Sequence, residues 1–299
     1  MFILQDGIFL FKSLDDKKLI IRNYLNGLVI KINYQDSLKD LLYYLKKPRS
    51  KEEIITKFSD IKKDNLLSTI QMLKKYDVIS TVEAHKKINV CLIGVGTTGS
   101  HIANDLKNLS DIKSLVVVDP DIVSEDNLYR QNYVKSDLNK KKVEVLFERG
   151  GRPSIIPIDI MCNNSAKIVD LCKEYKIDIV IQAGDYPSTR ELAKLTEIAA
   201  NELNIPYIIN AGYISNVVSL PEFYYPNNVY DFLYKHEIYK EKLIFTNANN
   251  KAQSSVVANV GHIVARQISD YCAGKKPFKY RERGFFDIRA LEWRTEKIE

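Results

Sequence analysis

Cysteine is scarce in this chain of 299 residues, and no two cysteines form a C-x-x-C pair. The four cysteines are Cys91, Cys162, Cys172 and Cys272. Tetrahedral zinc sites and disulfide-linked small domains both depend on closely spaced cysteines. We therefore expect neither a structural zinc nor a disulfide framework. Cys272, in the helix-like run SDYCAGKK, is expected to be structural rather than a nucleophile that forms a thioester.

The chain also lacks a long hydrophobic run. No apolar stretch approaches the ~20 residues that cross a bilayer as a helix. The N-terminal stretch MFILQDGIFLFKS is broken by Gln, Asp and Gly and shows no cleavage-site pattern. With 45% apolar residues the chain can build a substantial core. We expect a globular cytoplasmic protein.

No basic helix or stripe stands out, although Lys and Arg number 44 against 38 Asp and Glu. Residues 1–84 hold most of the excess, with 15 basic and 11 acidic side chains. A diffuse positive charge is weak evidence for an acidic peptide or a nucleotide partner, and it does not indicate nucleic-acid binding.

What the chain does contain is a glycine-rich loop between a strand-like run, VCLIG, and a helix. Glycine has no Cβ, so Gly94 permits a sharp turn, Gly96 a close approach of backbone to a ligand, and Gly99 tight packing of the helix on its strand. The N-terminus of that helix, near Thr98, offers free N–H groups and partial positive charge. The loop therefore predicts a phosphate-binding site.

An acidic residue follows at the spacing that nucleotide-binding folds use. The second strand, SLVVVD, ends at Asp119, which is 20 residues beyond Gly99. In such folds this acid binds the ribose hydroxyls. The order of strand, glycine loop, helix, strand and acid predicts an α/β domain with a Rossmann-like, mostly parallel sheet. A structural glycine turn in another kind of α/β domain is the alternative.

Cationic residues are dense just after Asp119. Arg130 and Gln131 lie in DPDIVSEDNLYRQ, and three lysines occupy 140–142. A helix N-terminus largely accommodates the pyrophosphate of a nicotinamide cofactor, whereas a triphosphate needs further cations and a metal. The chemistry favours ATP, and an NAD-dependent oxidoreductase is kept as an alternative.

These segments together resemble the ubiquitin-activating-enzyme-like adenylyltransferases of the ThiF/MoeB/HesA type. The resemblance covers residues 88–215 and is more specific than the glycine loop alone. The matching segments, in order, are G-V-G-T-T-G, D-P-D-I-V, N-L-Y-R-Q, the lysine before V-E in N-K-K-K-V-E, and the buried strand with its acid in IVIQAGDYPSTR.

The resemblance implies a role for each matching residue. Asp119 would bind ribose, Asn127 and Arg130 the phosphates, Lys142 the triphosphate, and Asp185 a Mg²⁺ ion. Only the register of the motif distinguishes Lys142 from its two neighbours. Arginine offers a planar fork to phosphate oxygens, and Mg²⁺ needs few carboxylates because water and phosphate complete its shell. The predicted catalytic residues are Arg130, Lys142 and Asp185. The predicted nucleotide-binding residues are Gly94, Gly96, Gly99, Asp119, Asp121, Asn127, Arg130, Gln131 and Lys142.

Two departures from the family pattern stand out. Thr97 occupies the place of the usual second glycine, which puts a side chain near the α-phosphate. Some members also carry an R-Y-x-R-Q segment that reaches across a dimer, and this chain has none before its first Rossmann strand. The resemblance implies a homodimer, in which any arginine from the partner must come from another segment.

Residues 1–84 are predicted to form a separate domain, and residues 85–299 the nucleotide-binding domain. Strand-like runs with Asn26-Gly27 between them indicate a hairpin, and three helical patterns follow. This order resembles the small winged-helix domain with which enzymes of peptide modification bind a leader peptide. Such a domain adds the peptide as a strand at a sheet edge, in a groove against a helix.

The combined resemblance implies ATP-dependent adenylation of a carboxylate on a ribosomally synthesised precursor peptide, as in enzymes of the microcin C and pantocin A type. Activation and cyclisation of a glutamate side chain is slightly preferred over activation of a C-terminal asparagine. The alternatives are a sulfur-carrier or tRNA-modifying adenylyltransferase and a non-catalytic peptide-binding scaffold.

The C-terminal third is less regular. After the Asp185 segment a helix and two strands are expected to extend the sheet, and the Tyr- and Asn-rich residues 221–250 either contact peptide or form a loop. SSVVANVGHIVARQISDYC predicts a long buried helix, in which Ala258 and Gly261 permit close packing and a dimer contact. The final segment predicts two strands joined at Gly284.

Overall fold

The computed structural model describes residues 1–15, 17–24, 26–81, 86–210, 212–215, 217–227, 254–278, 282–287 and 289–297. The chain divides into two compact units, Met1–His85 and Lys86–Glu299. That division lies one residue from the boundary drawn on the sequence. Among the described helices, none combines the length and apolar character that a bilayer crossing requires.

The first unit combines a small antiparallel sheet with three helices. The strands Ile8–Lys12, Lys18–Asn23 and Val29–Asn33 pair in that order, and Phe2–Leu4 pairs with Ile79–Thr81. Ser50 and Glu53 form a reciprocal capping box that starts the second helix. The elements are β1 (Phe2–Leu4), β2 (Ile8–Lys12), β3 (Lys18–Asn23), β4 (Val29–Asn33), α1 (Asp36–Tyr44), α2 (Lys51–Lys57), α3 (Lys63–Lys75) and β5 (Ile79–Thr81).

Alternation along β3 builds the core of this unit. Leu19 and Ile21 are buried, whereas Lys18 and Arg22 are exposed, as expected for a strand with one face on a core. The buried side packs with apolar residues of all three helices, among them Leu42 and Ile54. The predicted sequence of hairpin strands followed by three helices is what the structure shows.

The second unit is organised around a six-stranded sheet. Its first elements are β6 (Ile88–Ile93), α4 (Thr97–Leu106), β7 (Ile112–Val118), α5 (Lys142–Arg149), β8 (Ser154–Ile158), α6 (Ser165–Glu174), β9 (Ile179–Gln182), α7 (Thr189–Leu203), β10 (Tyr207–Ile209), β11 (Tyr213–Ile214), β12 (Val217–Ser219) and β13 (Glu222–Tyr224). After these come α8 (Ser254–Cys272), β14 (Glu282–Asp287) and β15 (Glu292–Lys297). The strand order of the six-stranded sheet is β13-β10-β9-β6-β7-β8. All neighbouring strands in it are parallel except β13, which pairs antiparallel with β10.

Helices cover both faces of this sheet. Residues such as Val90 and Leu92 of β6 face a cluster with α4, α5 and α8, while Cys91 and Ile93 face a cluster with α6 and α7. Burial on both faces explains why the strands are nearly continuous apolar runs. The predicted Rossmann-like fold with a mostly parallel sheet is confirmed. The carboxyl ends of β6, β7 and β9 lie side by side, so the residues that follow them meet at one edge.

The prediction that two strands after α7 extend this sheet is only half right. β10 does so, but β11 and β12 belong to a separate sheet of order β11-β12-β14-β15. Of the Tyr- and Asn-rich residues 221–250, the part from 228 onward lies outside the described residues.

The prediction that the last two strands join at Gly284 is wrong. Gly284 lies within β14, opposite Thr295 of β15, and the strands connect after Asp287. A Cβ on Gly284 would lie 2.4 Å from the Arg294 carbonyl oxygen. This glycine therefore marks a close approach of two backbones, which is a second common reason for glycine in a strand.

The predicted long helix is confirmed as α8, and it packs on α4. A Cβ on Gly261 would lie 2.8 Å from the carbonyl oxygen of His101 and 2.9 Å from Oδ2 of Asp105. The helices can approach this closely only because residue 261 has no side chain.

Replacing Gly261 with alanine should therefore force α4 and α8 apart. Overpacking of this kind costs about 1–3 kcal/mol, so we expect the free energy of unfolding in urea to fall by that amount. Ser255→Ala, at an exposed position in the first turn of the same helix, is the matched control and should change it by less than about 0.5 kcal/mol. Equal urea midpoints for Gly261→Ala and the native chain would contradict the packing described here.

Candidate active site

The glycine loop connects β6 to α4 and has no room for side chains at two of its three glycines. Gly94 has a φ of +87°, and a Cβ there would lie 2.4 Å from the backbone nitrogen of Gly184. A Cβ on Gly99 would lie 1.9 Å from the carbonyl oxygen of Gly94. Gly94 thus makes the turn and Gly99 brings α4 onto it, as the sequence indicates.

Gly96 has a different setting. It is the N-cap residue of α4, and a Cβ added there meets no atom within 4 Å. Open space therefore lies over the N-terminus of a ten-residue helix, where the first N–H groups have no partner within the helix. Thr97, the departure from the family pattern, is the first residue of the helix and borders this space.

Asp119 follows β7 and is held rigidly. Its Oδ2 accepts the N–H of Val95 at 2.7 Å, and its Oδ1 accepts the N–H of Asp121 at 2.9 Å. Asp119 is only 6% exposed. Burial raises the pKa of Asp119, and Lys142 and the two amides oppose that rise. The carboxylate is therefore pre-positioned at the strand edge.

Lys142 differs from Lys140 and Lys141 in its burial and in its hydrogen-bond partner. It is 4% exposed, and its Nζ donates to Oδ2 of Asp121 at 2.8 Å. Lys140 instead pairs with Glu148 at 2.7 Å, and Lys141 with Asp159 at 3.1 Å. Of the three, Lys142 borders the cavity beside Asp119.

The segment from Ser124 to Tyr133 carries the predicted phosphate ligands. Asn127 caps a short 3-10 helix, with its Oδ1 accepting the N–H of Ser124 at 3.1 Å. Arg130 donates from Nη1 to the hydroxyl of Tyr213 at 3.2 Å. Its Nε and the Oε1 of Gln131, a residue 5% exposed, are buried without a hydrogen-bond partner among the described residues. Two residues on the cavity wall therefore each keep a buried polar atom whose hydrogen bond a ligand can supply.

Asp185 lies three residues beyond β9, exposed at the same sheet edge. Next to it is a hydrogen-bonded group that the sequence analysis missed. Gln182 accepts the N–H of Asn210 at 3.1 Å, and Nδ2 of Asn210 donates to Oγ1 of Thr98 at 2.7 Å. Asn210 directly follows parallel strand β10, and that position at the carboxyl end of a strand was the available signal.

These residues surround one cavity of about 370 Å³. Of the predicted site residues, Gly99 alone does not border it, because it lies beneath the loop and packs on Gly94. Those that do are Gly94, Gly96, Asp119, Asp121, Asn127, Arg130, Gln131, Lys142 and Asp185. The lining residues that the sequence analysis missed include Thr189, Asn210 and Tyr213.

A second cavity of about 250 Å³ adjoins the first and shares Asp119 and Asp185 with it. Its further lining is largely apolar, with Ile93, Ile160 and Leu192. The pair of cavities thus offers a polar, charged chamber beside an apolar slot, with one buried carboxylate between them.

The donor set suits a magnesium ion that arrives with phosphate. Mg²⁺ in nucleotide sites uses one or two carboxylates and keeps water and phosphate oxygens as its other ligands. Asp185 supplies an exposed carboxylate on the cavity wall. Within the described residues no group of three or more His, Cys, Asp or Glu side chains converges on a point.

All four cysteines are buried and free. Burial raises the pKa of Cys272 to about 12 and that of Cys162 to about 11. A thiol with so high a pKa is a poor nucleophile at neutral pH. This agrees with the interpretation of Cys272 as a structural residue.

The first unit has its own cavity, of about 430 Å³. It lies between β4, α1 and α3, and its apolar lining includes Ile32, Leu38 and Met72. In the described part of the chain β4 pairs with β3 alone, so its other edge has unpaired backbone groups. A free strand edge beside a half-apolar groove is the arrangement by which domains bind an extended peptide.

The ThiF family model matches residues 66–298 of this chain. A search of curated protein sequences found no match.

Solved structures match over nearly the whole chain at low sequence identity. E. coli MccB, the microcin C7 biosynthetic enzyme, with AMPCPP and MccA has a TM-score of 0.66 at 18% identity, covering 99% of this chain and 96% of that one. MccB with ATP has a TM-score of 0.62 at 17% identity, with the same coverage. PaaA has a TM-score of 0.65 at 17% identity, covering 98% of this chain and 99% of that one. The similarity to these proteins includes both units.

Proposed function

This chain belongs to the ThiF family of ATP-dependent adenylyltransferases, and we propose that it adenylates a carboxylate on a ribosomally synthesised precursor peptide. Family membership decides between ATP and a nicotinamide cofactor. The observation that carries the proposal is the pairing of two sites in one chain, a charged cavity at the glycine loop and a peptide-sized groove beside β4.

ATP is proposed to lie across the two adjoining cavities of the second unit. The apolar slot suits the purine, and Asp119, between the cavities, faces the ribose hydroxyls. The phosphates then lie over Gly96 and the N-terminus of α4. Arg130 and Lys142 border the same chamber, and they supply the positive charge that a triphosphate needs.

Asp185 is proposed to hold Mg²⁺, which when bound neutralises charge on the phosphate oxygens. The protein side chains orient the nucleotide and stabilise charge that develops on it. Lys142 is restrained by Asp121, and Arg130 by Tyr213, so both cations are held before substrate binds.

The chemical step is attack by a carboxylate oxygen of the peptide on the α-phosphorus of ATP. A bond forms between that oxygen and phosphorus, the bond from the α-phosphorus to the bridging oxygen breaks, and pyrophosphate leaves with the electron pair. A carboxylate is already ionised at neutral pH, so no general base is required. The role of Arg130 and Lys142 is to stabilise the charge on the departing pyrophosphate.

The leader of the precursor peptide is proposed to bind in the groove of the first unit as an added strand on β4. Backbone pairing would supply affinity, and the apolar floor with Leu38 and Met72 would select alternate side chains. Support comes from E. coli MccB, whose solved structures include complexes with MccA.

A substitution in this groove tests the leader site. Thr69 lines the groove on α3, whereas Ser68 is exposed and does not. Thr69→Arg should fill the groove and weaken binding of the labelled precursor peptide at least about tenfold, measured by fluorescence anisotropy. Ser68→Arg adds the same charge one residue away and should bind normally. Equal affinities for the two variants would place the leader elsewhere.

Peptide-dependent exchange of labelled pyrophosphate into ATP tests the reaction itself. The peptide to use is the one encoded by a short reading frame beside the gene. Exchange that requires a sulfur-carrier protein or tRNA instead of the peptide would favour those alternative substrates. Tandem mass spectrometry of the product then tests the prediction that a glutamate side chain is activated rather than a C-terminal asparagine.

We also propose that the enzyme is a cytoplasmic homodimer, as the family resemblance implies. Gly261 does not support the dimer, because it packs against α4 of the same chain. Sedimentation equilibrium of the purified chain tests the dimer.

A further inference from the structure

His101 is a buried histidine beside the candidate site, and no step of the proposed reaction uses it. It lies in the second turn of α4 and is 8% exposed. Its Nε2 is 3.1 Å from the backbone carbonyl oxygen of Arg130 and 3.3 Å from Oγ of Ser254. A carbonyl oxygen can only accept, so Nε2 carries the proton and donates it to Arg130.

The Arg130 segment, Ser124 to Tyr133, pairs with no strand among the described residues. Side-chain hydrogen bonds hold it in place, and two of them come from α4. Ser100 accepts the N–H of Asn132 through Oγ at 3.0 Å, and His101 binds the carbonyl of Arg130. Two consecutive residues of α4 therefore hold the backbone on either side of Gln131.

Of these two contacts, the one from His101 acts on Arg130 itself. The N–H of Arg130 is bound to the carbonyl of Asn127 at 3.2 Å, so the histidine fixes the opposite end of the residue. Because its backbone N–H and carbonyl are both hydrogen-bonded, Arg130 has a fixed Cα from which its side chain extends to the cavity. Without the histidine contact, the peptide between Arg130 and Gln131 is held from one side, by the N–H of Gln131, which donates to the carbonyl of Asn127 at 2.8 Å.

We propose that His101 is a positioning residue that holds Arg130 at the phosphate end of the cavity, an inference that rests on the proposed function. α4 then has two tasks in one site. Its N-terminus lies below the phosphates, and its second turn locates the arginine that faces them.

The surroundings of His101 keep the imidazole neutral. Burial lowers its pKa, and the hydrogen bond to Arg130 and the nearby Asp105 on α4 oppose that shift. His262, which reaches from α8 to within 2.5 Å of Asp105, lowers the pKa further. Because the folded-state pKa lies below the unfolded value of about 6.5, the unfolded chain takes up the proton first as the pH falls. The native state should therefore lose stability below about pH 6.5.

Two substitutions separate positioning from packing. His101→Gln keeps an N–H donor at the reach of Nε2, whereas His101→Leu keeps bulk and removes the donor. For each full-length protein the dissociation constants of ATP and of adenosine, which shares the base and ribose but has no phosphate, are measured with Mg²⁺. We expect His101→Leu to weaken ATP about tenfold and adenosine less than about twofold. His101→Gln should stay within about threefold of the native chain for both ligands.

Native affinity for ATP in His101→Leu would overturn the proposal, and so would an equal loss for adenosine. The second measurement is the midpoint of thermal unfolding between about pH 7.5 and pH 5.5. As the pH is lowered over this range, the unfolding midpoint of His101→Gln should fall by at least about 2 °C less than that of the native chain. Equal falls would refute a buried neutral His101. A native chain that does not bind ATP would refute the proposed function, whereas the pH comparison would still decide the state of His101. If His101→Leu does not fold, the ATP affinity of His101→Gln and the comparison of unfolding midpoints at the two pH values still test the proposal.

Discussion

Replacing Asp185 with alanine should abolish peptide-dependent exchange of pyrophosphate into ATP. Asp185 is the exposed carboxylate at the end of β9, and no cluster of three or more metal-binding side chains is found among the described residues. The ion proposed to bind there supplies several kcal/mol of charge stabilisation, so the exchange rate should fall at least about 1,000-fold. The rate of label incorporation into ATP measures it.

The same variant should leave the first unit unaffected, so binding of the labelled precursor peptide should be native. Asp170→Ala removes an exposed carboxylate from α6, outside the cavity, and serves as the matched control. Undiminished exchange in Asp185→Ala would refute the metal role. Loss of both exchange and peptide binding would indicate a misfolded variant instead, which a circular dichroism spectrum resolves.

Lys142→Met should lower activity far more than stability. The ammonium group is buried and paired with Asp121, whose side chain is largely exposed. Removing the positive charge from the triphosphate site should lower the exchange rate about 100-fold or more. Lys142 also offsets the burial of the Asp119 carboxylate, so its replacement by an apolar side chain should lower the free energy of unfolding by about 1–3 kcal/mol. An unchanged exchange rate, or a loss of stability so large that the variant does not fold, would contradict this interpretation.

Lys140→Met is the matched control for that experiment. Lys140 is exposed and pairs with Glu148 on the surface. An exposed ion pair contributes about 0–1 kcal/mol, so neither stability nor exchange should change appreciably. If Lys140→Met lost exchange and Lys142→Met did not, the register of the lysine motif would be wrong.

Much of the site could be predicted because its chemistry follows strand ends. Gly94, Asp119 and Asp185 directly follow or lie close behind buried parallel strands, and the carboxyl ends of such strands converge. Short-range signals were enough to place these residues together. The glycine spacing predicted the turn. In the structure Gly94 and Gly99 have no room for a side chain and Gly96 lies beside open space, as the motif implies.

The rest depended on packing between distant segments. Asn210 is 112 residues from Thr98 in the chain, yet the two side chains hydrogen-bond to each other in the cavity wall. Neither residue stands in a motif that marks this contact. His101 similarly contacts the carbonyl of Arg130 only because the segment that carries Arg130 docks on α4. The sequence around Gly284 was ambiguous, because a glycine among strand-like residues is compatible with a turn and also with a close approach of two strands.

Equilibrium titration of the purified full chain with ATP and Mg²⁺ tests most directly whether the chamber at the glycine loop holds ATP. We expect saturable binding at one site per chain, weakened at least about tenfold by Lys142→Met and unchanged by Thr69→Arg in the peptide groove. The absence of a heat of binding at millimolar ATP would contradict ATP binding in this chamber. Binding that Thr69→Arg abolishes and Lys142→Met leaves intact would contradict it as well.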